Sequence, residues 1–248
     1  TIAAGTLTRI IDVEADDTAK AVSRKINSVA GSTQVVSEAR TFAWLYTSTA
    51  SPTVSGKLNI NGTETGAFTI TSNDVSDAVQ KINLISDTTG VQATSTGDYK
   101  ILLSDKDGDD LVVTNISDRA DLKMQSVAID SLTANATVLT MADGNPAASA
   151  DTVNIRGNLR ISATSDFTVT QATADSYFAN GVTASPLVNI SSADVLTRIT
   201  ASNSLAVLDG AIARASSMRG SLGTLQNRLD YTVSNLMKVT EFTTGARS

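Results

Sequence analysis

The sequence predicts an α+β protein: β-rich domains containing two small helix-on-strands repeats, followed by a long C-terminal α-helix of a coiled-coil-like bundle. Three observations lead there. A helical segment recurs at one offset within the first 117 or so residues, Ser/Thr-rich β-like runs fill the middle, and apolar residues return every three or four positions through the last fifty.

The repeat comes first. Residues 16–35 read DDTAKAVSRKINSVAGSTQV and residues 72–91 read SNDVSDAVQKINLISDTTGV. Lys25-Ile26-Asn27 aligns with Lys81-Ile82-Asn83, Val29 with Ile85, Thr33 with Thr89 and Val35 with Val91. Each copy opens on a polar stretch suited to capping, Asp16-Asp17 in one and Ser72-Asn73-Asp74 in the other. Apolar residues follow at helical spacing: Ala19, Val22, Ile26 and Val29, then Val75, Ala78, Val79, Ile82 and Ile85. Gly31 and Gly90 stand where each helix is expected to stop.

β-like segments flank both helices. Lys57–Asn61 and Ala67–Thr71 are expected to face each other across a turn containing Asn61-Gly62. Lys100–Leu103 and Leu111–Thr114 are expected to be joined by the turn Lys106-Asp107-Gly108. From 118 to about 188 the β-like runs are Lys123–Ile129, Thr137–Met141, Thr152–Ile155, Asn158–Ala163 and Phe167–Thr170. Turn residues Asp143-Gly144-Asn145-Pro146 and Asn180-Gly181 punctuate them.

The character changes after Pro186. From Ser192 to about Thr243 there is no proline, and apolar residues fall at Leu205, Leu208, Ile212, Ala215, Met218, Leu222, Leu225, Leu229, Val233, Leu236 and Val239. This is a heptad-like seam with local phase adjustments. Fifty residues at about 1.5 Å each make a rod of roughly 75 Å, too long to bury its seam on itself. Arg214, Arg219 and Arg228 beside the seam are candidate register-setting charges. The expected divisions are 1–56 (first repeat unit), 57–117 (second), 118–189 (β-rich region) and 190–248 (helical segment).

Composition excludes whole classes of function. The chain holds no cysteine and no histidine, which removes thiolate nucleophiles, Ser-His and Cys-His pairs and His- or Cys-based metal sites. No enzyme activity and no cofactor are expected. The net charge of −6 argues against nucleic acid as a partner. No run of eighteen apolar residues marks a membrane span, and no charged, apolar-cored leader marks a cleavable signal.

Three sharper readings compete with plainer ones. Asp105-Lys106-Asp107-Gly108-Asp109-Asp110 looks like a calcium loop, but an EF-hand places glycine sixth and a glutamate twelfth, and here Gly108 is fourth and Ile116 twelfth. An acidic turn without metal is expected. Glu14, Asp16 and Asp17 sit where helix capping explains them better than glycoside chemistry. Trp44 is expected in the core or at its rim, since one tryptophan makes a poor sugar platform.

The run Leu205-Ala206-Val207-Leu208-Asp209-Gly210-Ala211-Ile212, then Arg219-Gly220-Ser221-Leu222-Gly223-Thr224-Leu225-Gln226-Asn227-Arg228-Leu229, then Thr232-Val233-Ser234-Asn235-Leu236, resembles the C-terminal helical region of bacterial flagellins. Thr244-Gly245-Ala246-Arg247-Ser248 resembles the point where that family turns into its last helical segment. The segment from Leu58-Asn59-Ile60-Asn61-Gly62 through Ile82-Asn83 to Leu111 is similar to a repeat module of the variable outer regions of flagellins and hook-associated proteins. The resemblance implies an extracellular filament subunit, exported without a cleavable signal. Residues 1–189 would be its outer part, and 190–248 one helix of the shaft.

In that family the helix pairs with a long N-terminal helical region, which nothing here matches. The expected assembly contacts are Leu205, Leu208, Ile212, Met218, Leu222, Leu225, Leu229, Val233 and Leu236, and the expected partners are further copies of the subunit. A second reading is a surface binding module or adhesin holding a glycan or a host receptor, a host innate receptor included. An acidic, aromatic-poor surface suits solubility better than recognition of a polyanionic sugar.

Overall fold

The computed structural model describes residues 1–47, 53–71, 73–117, 122–141, 151–171, 177, 181–185 and 188–247. Contacts divide it into two compact units, Thr1–Leu187 and Val188–Ser248. It is α+β, with antiparallel ladders in the first unit and a long helix in the second.

The first unit holds one motif twice. In the first copy a hairpin of β1 (Ile2–Ala4) and β2 (Leu7–Arg9) precedes helix α1 (Ala19–Ser28), one helical turn α2 (Ala30–Thr33) and strand β3 (Val35–Thr47). The second copy has the hairpin β5 (Leu58–Ile60) and β6 (Thr63–Glu64), helix α3 (Ser76–Asn83), turn α4 (Ser86–Thr89) and strand β8 (Val91–Ser95). It is completed by β9 (Ile101–Asp105), which pairs with β8, and β10 (Leu111–Asn115), which returns to β5. The first copy is completed much later in the chain. There β14 (Asn158–Ala163) pairs with Val35–Arg40 of β3, and β15 (Phe167–Gln171) returns to β1.

The second copy is therefore inserted into the first. Residues 35–40 of β3 pair with β14, whereas residues 41–47 pair with β9 and with β11 (Leu122–Val127). Two further strands extend the inner sheets, β12 (Ala134–Thr140) on β11 and β13 (Thr152–Ile155) on β10, while β4 (Thr53–Gly56) and β7 (Phe68–Thr71) pair as a separate two-stranded sheet. On the outer side β16 (Gly181–Ser185) pairs with β15. Among the described residues, each strand ladder lies wholly within 41–157 or wholly within the two segments 1–40 and 158–185, and none pairs a residue of one set with a residue of the other. The divisions expected at residues 57 and 118 do not follow these ladders, because the strands that close the first copy lie beyond the second.

Two cores match the two copies. Ile2, Val22, Ile26, Val35 and Phe167 form the first, and Leu58, Ala78, Ile82, Val91, Leu103 and Leu111 belong to the second. Burial of one such isoleucine or leucine is worth about 1.5–3 kcal/mol.

The repeated Lys-Ile-Asn has a physical basis beyond helix pattern. Asn27 Nδ2 donates to the Ser37 carbonyl at 2.8 Å, and its Oδ1 accepts the Ser37 amide at 2.8 Å. Asn83 does the same to Ala93, at 2.9 and 2.8 Å. Thr33 and Thr89 likewise match: each hydroxyl donates four residues back, to Val29 or Ile85, and accepts the amide of Val35 or Val91. Side-chain groups thus lock each helix to the strand after it, satisfying backbone that would otherwise be orphaned.

Several local expectations are corrected. The helix cap of α1 is Thr18, whose Oγ1 accepts the Ala21 amide, and not Asp16-Asp17. In the second copy Asp74 Oδ1 accepts the Ser76 amide; Ser72 lies outside the described residues. Gly31 lies inside α2, and Gln34 takes the left-handed position at φ 58°, whereas Gly90 does end α4 at φ 74°. The Asn61-Gly62 turn joins β5 to β6, while β7 pairs with β4, so the expected partner was wrong. Segments 101–105 and 111–115 are not a hairpin either, since β9 lies between β3 and β8. The turn Asp143-Gly144-Asn145-Pro146 and Asn180 lie outside the described residues.

The acidic turn 105–110 pins the two copies together. Asp105 Oδ1 accepts the amides of Asp107 and Gly108, Lys20 Nζ reaches Asp107 at 3.0 Å and Asp109 at 2.6 Å, and the Lys20 amide donates to the Gly108 carbonyl. Burial holds the Asp105 carboxyl above the usual carboxylate range.

Candidate assembly surface

The second unit starts with a 3-10 turn at Ile190–Ser192 and continues as α5, Arg198–Arg247. The helix begins later than residue 190, where the helical segment was expected to start, because the intervening residues form the 3-10 turn and the cap. Thr197 Oγ1 accepts the Thr200 amide at 3.1 Å, and Thr200 Oγ1 accepts the Thr197 amide at 3.0 Å, a reciprocal box that satisfies two orphan donors. The preceding segment folds onto the first turns. The Asp194 amide donates to Ser204 Oγ at 2.9 Å, and that hydroxyl donates to the Asp194 carbonyl at 2.8 Å. The spacing Thr197-x-x-Thr200 is the sequence signal for this box.

Beyond that cap the helix has little local support. Gly210, Gly220, Gly223 and Gly245 lie inside it with open space around them, each costing about 1 kcal/mol relative to alanine. Thr224, Thr232, Thr240, Thr243 and Thr244 turn their hydroxyls back onto carbonyls four residues earlier, a habit that slightly destabilises a helix.

The nine apolar residues expected as assembly contacts all lie on α5 and are exposed, Leu225 at 50% and Leu222 at 64%. Neighbours three and four apart on one helix cover only part of each other, and each of the nine keeps between 41% and 64% of its surface exposed. From Leu205 to Val239 the mean step is about 3.4 residues, below 3.6, so the stripe winds around a straight helix as a left-handed spiral. Arg214, Arg219 and Arg228 are exposed along the same length. Missed from sequence were Tyr231 and Phe242, each 76% exposed. Tyr231 lies on the far side of the helix from its stripe neighbours Leu229 and Val233, whereas Phe242, three residues after Val239, continues the stripe.

The other candidates take modest roles. Trp44 sits half-buried on β3 with Lys100 Nζ 4.2 Å from its ring centroid. Asp17 Oδ2 accepts Lys25 Nζ at 2.6 Å and the Glu14 amide at 2.8 Å, which holds its carboxyl below the usual range. Among the described residues no cluster of three or more acidic side chains is placed to hold a metal, and no helix is long and apolar enough to cross a membrane.

No protein-family model matches the chain. It is similar to the B-type flagellin of Pseudomonas aeruginosa strain PAO1, 26% identical over 244 residues. The match covers 95% of this chain and 48% of that protein, so the chain spans about half the length of the curated relative it matches. The likeness supports a distant flagellin-like relationship along nearly the whole chain.

Proposed function

We propose that the chain is a flagellin-like structural subunit of an extracellular bacterial filament, acting by helix packing in support of motility. Helix α5 lays its winding apolar stripe against partner helices, and further copies of the subunit repeat that contact along a lattice. Residues 1–189 form the part that faces outward, and the flanking arginines set register.

The observation that carries this reading is the exposed stripe on a 50-residue helix whose interior contains four glycines. Such a helix is marginal alone, and burying nine stripe side chains at about 1.5 kcal/mol or more each outweighs the glycine cost several times over. Electron microscopy of the protein in its longest natural form tests it. Filaments are expected; globular monomers under all conditions would refute the reading.

A further inference from the structure

We infer that the nested arrangement of the two copies couples their stabilities in one direction: the inner module, residues 41–157, stays folded when the outer one opens, and the outer module cannot fold around an unfolded inner one.

The chain crosses between the modules at adjacent positions of one ladder. The outer module is made of two pieces, 1–40 and 158–185, that meet through β3–β14 and β1–β15. Arg40 and Asn158 are direct partners across the β3–β14 ladder, so the inner module enters and leaves through adjacent positions. Folded, it delivers those two ends side by side. Unfolded, it becomes a long flexible loop whose closure the outer ladders alone must support. The inner module has no such dependence. Its ladders β5–β10, β8–β9, β9–β3 and β3–β11 form within a continuous stretch of chain, around its own core.

The contacts at the crossing add to this bias. Gly108 and Gly157 pack against each other and against β3: a Cβ on Gly157 would lie 2.8 Å from the Gly108 carbonyl oxygen and 2.7 Å from Thr41 Oγ1. Helix α1 of the outer module starts on the inner module's acidic turn, through Lys20 and the Gly108 carbonyl. The outer helix therefore uses a surface that exists only when the inner turn is formed.

Native-state hydrogen exchange on the whole chain tests the direction. The reporters are the Ser37 amide, held by Asn27, and the Ala93 amide, held by Asn83. The perturbations are Ile26→Val in the outer core and Ile82→Val in the inner core, mild enough to leave the fold intact. If opening is sequential, outer before inner, Ile26→Val speeds both amides by the same factor, about two- to tenfold, because every route to inner opening passes through outer opening. Ile82→Val then speeds Ala93 alone and leaves Ser37 unchanged. In the unmodified chain Ala93 is the better protected of the two.

Three outcomes overturn the inference. Each variant speeding only its own amide means independent modules. Both variants speeding both amides equally, from equal starting protection, means one cooperative unit. Ile82→Val speeding both while Ile26→Val speeds Ser37 alone means the order is reversed.

Discussion

Asn83 holds the backbone of Ala93 by both edges, its Nδ2 donating to the carbonyl at 2.9 Å and its Oδ1 accepting the amide at 2.8 Å. The pair acts as one rung of a ladder in which a side chain stands in for a strand. Asn83→Ala leaves both backbone groups short of a partner in a site closed to much solvent. The expected loss is about 1–3 kcal/mol by denaturant unfolding. Asn27→Ala removes the matching clamp on Ser37 and is expected to cost a similar amount.

Gly108 and Gly62 separate two reasons for glycine. Both have φ in the left-handed region, +80° and +86°, but Gly62 has open space where a Cβ would go, whereas on Gly108 it would lie 2.4 Å from Ala39 Cβ. Gly62→Ala should cost only the backbone term, about 1–2 kcal/mol. Gly108→Ala adds an overlap with β3 that cannot relax without moving the crossing, and should cost about 3 kcal/mol or more. Paired thermal melts compare them directly.

The Asp17–Lys25 pair sets a pH dependence. Hydrogen bonding to Lys25 holds the Asp17 carboxyl below its ordinary value of 3.8, so the unfolded chain binds the proton more readily. The stabilisation is present above the unfolded value and is lost as pH falls through the lower folded one. Asp17→Asn should therefore lower the melting temperature at pH 7, and the gap should close below about pH 4. A gap that persists undiminished in acid would mean the pair contributes through packing and not through charge.

Calcium should leave the melting midpoint where it is. In the acidic turn Asp107 and Asp109 are taken by Lys20, and Asp105 Oδ1 accepts two backbone amides. A saturable rise of several degrees on titration with calcium would contradict this.

Sequence made some of this legible and hid the rest for identifiable reasons. The Lys-Ile-Asn repeat revealed a duplication because both copies need an apolar helix face, yet the role of Asn27 and Asn83 lay in a contact ten residues away that no local period encodes. The strands Thr152–Ile155 and Asn158–Ala163 were found where they lie. Their partners, β10 and β3, were not, because antiparallel pairing at long range leaves no mark in spacing alone. Asn61-Gly62 marks a turn, but the strand after it is only two residues long, and the longer apolar run beyond pairs with β4 instead. The α5 stripe was readable from Leu205 to Val239, since a repeat of three and four needs no knowledge of what covers it. Tyr231 falls outside that repeat, and Phe242, three residues past Val239, extends it.

The central claim is that the α5 stripe is an assembly surface, and Leu225→Asp tests it most directly. Leu225 stands in the middle of the stripe and is half exposed. An aspartate there would put an unpaired carboxylate into any interface the stripe forms, at a cost of several kcal/mol. Thr224→Asp, one position along and exposed, is the control, expected within about ±0.5 kcal/mol. The measurement is sedimentation with electron microscopy on the protein in its longest natural form. The account predicts that Leu225→Asp abolishes assembly while Thr224→Asp assembles normally, with the two nested modules still melting as in the parent. Normal filaments from Leu225→Asp, or strong exchange protection of residues 200–240 in a proven monomer that the substitution leaves unchanged, would contradict it.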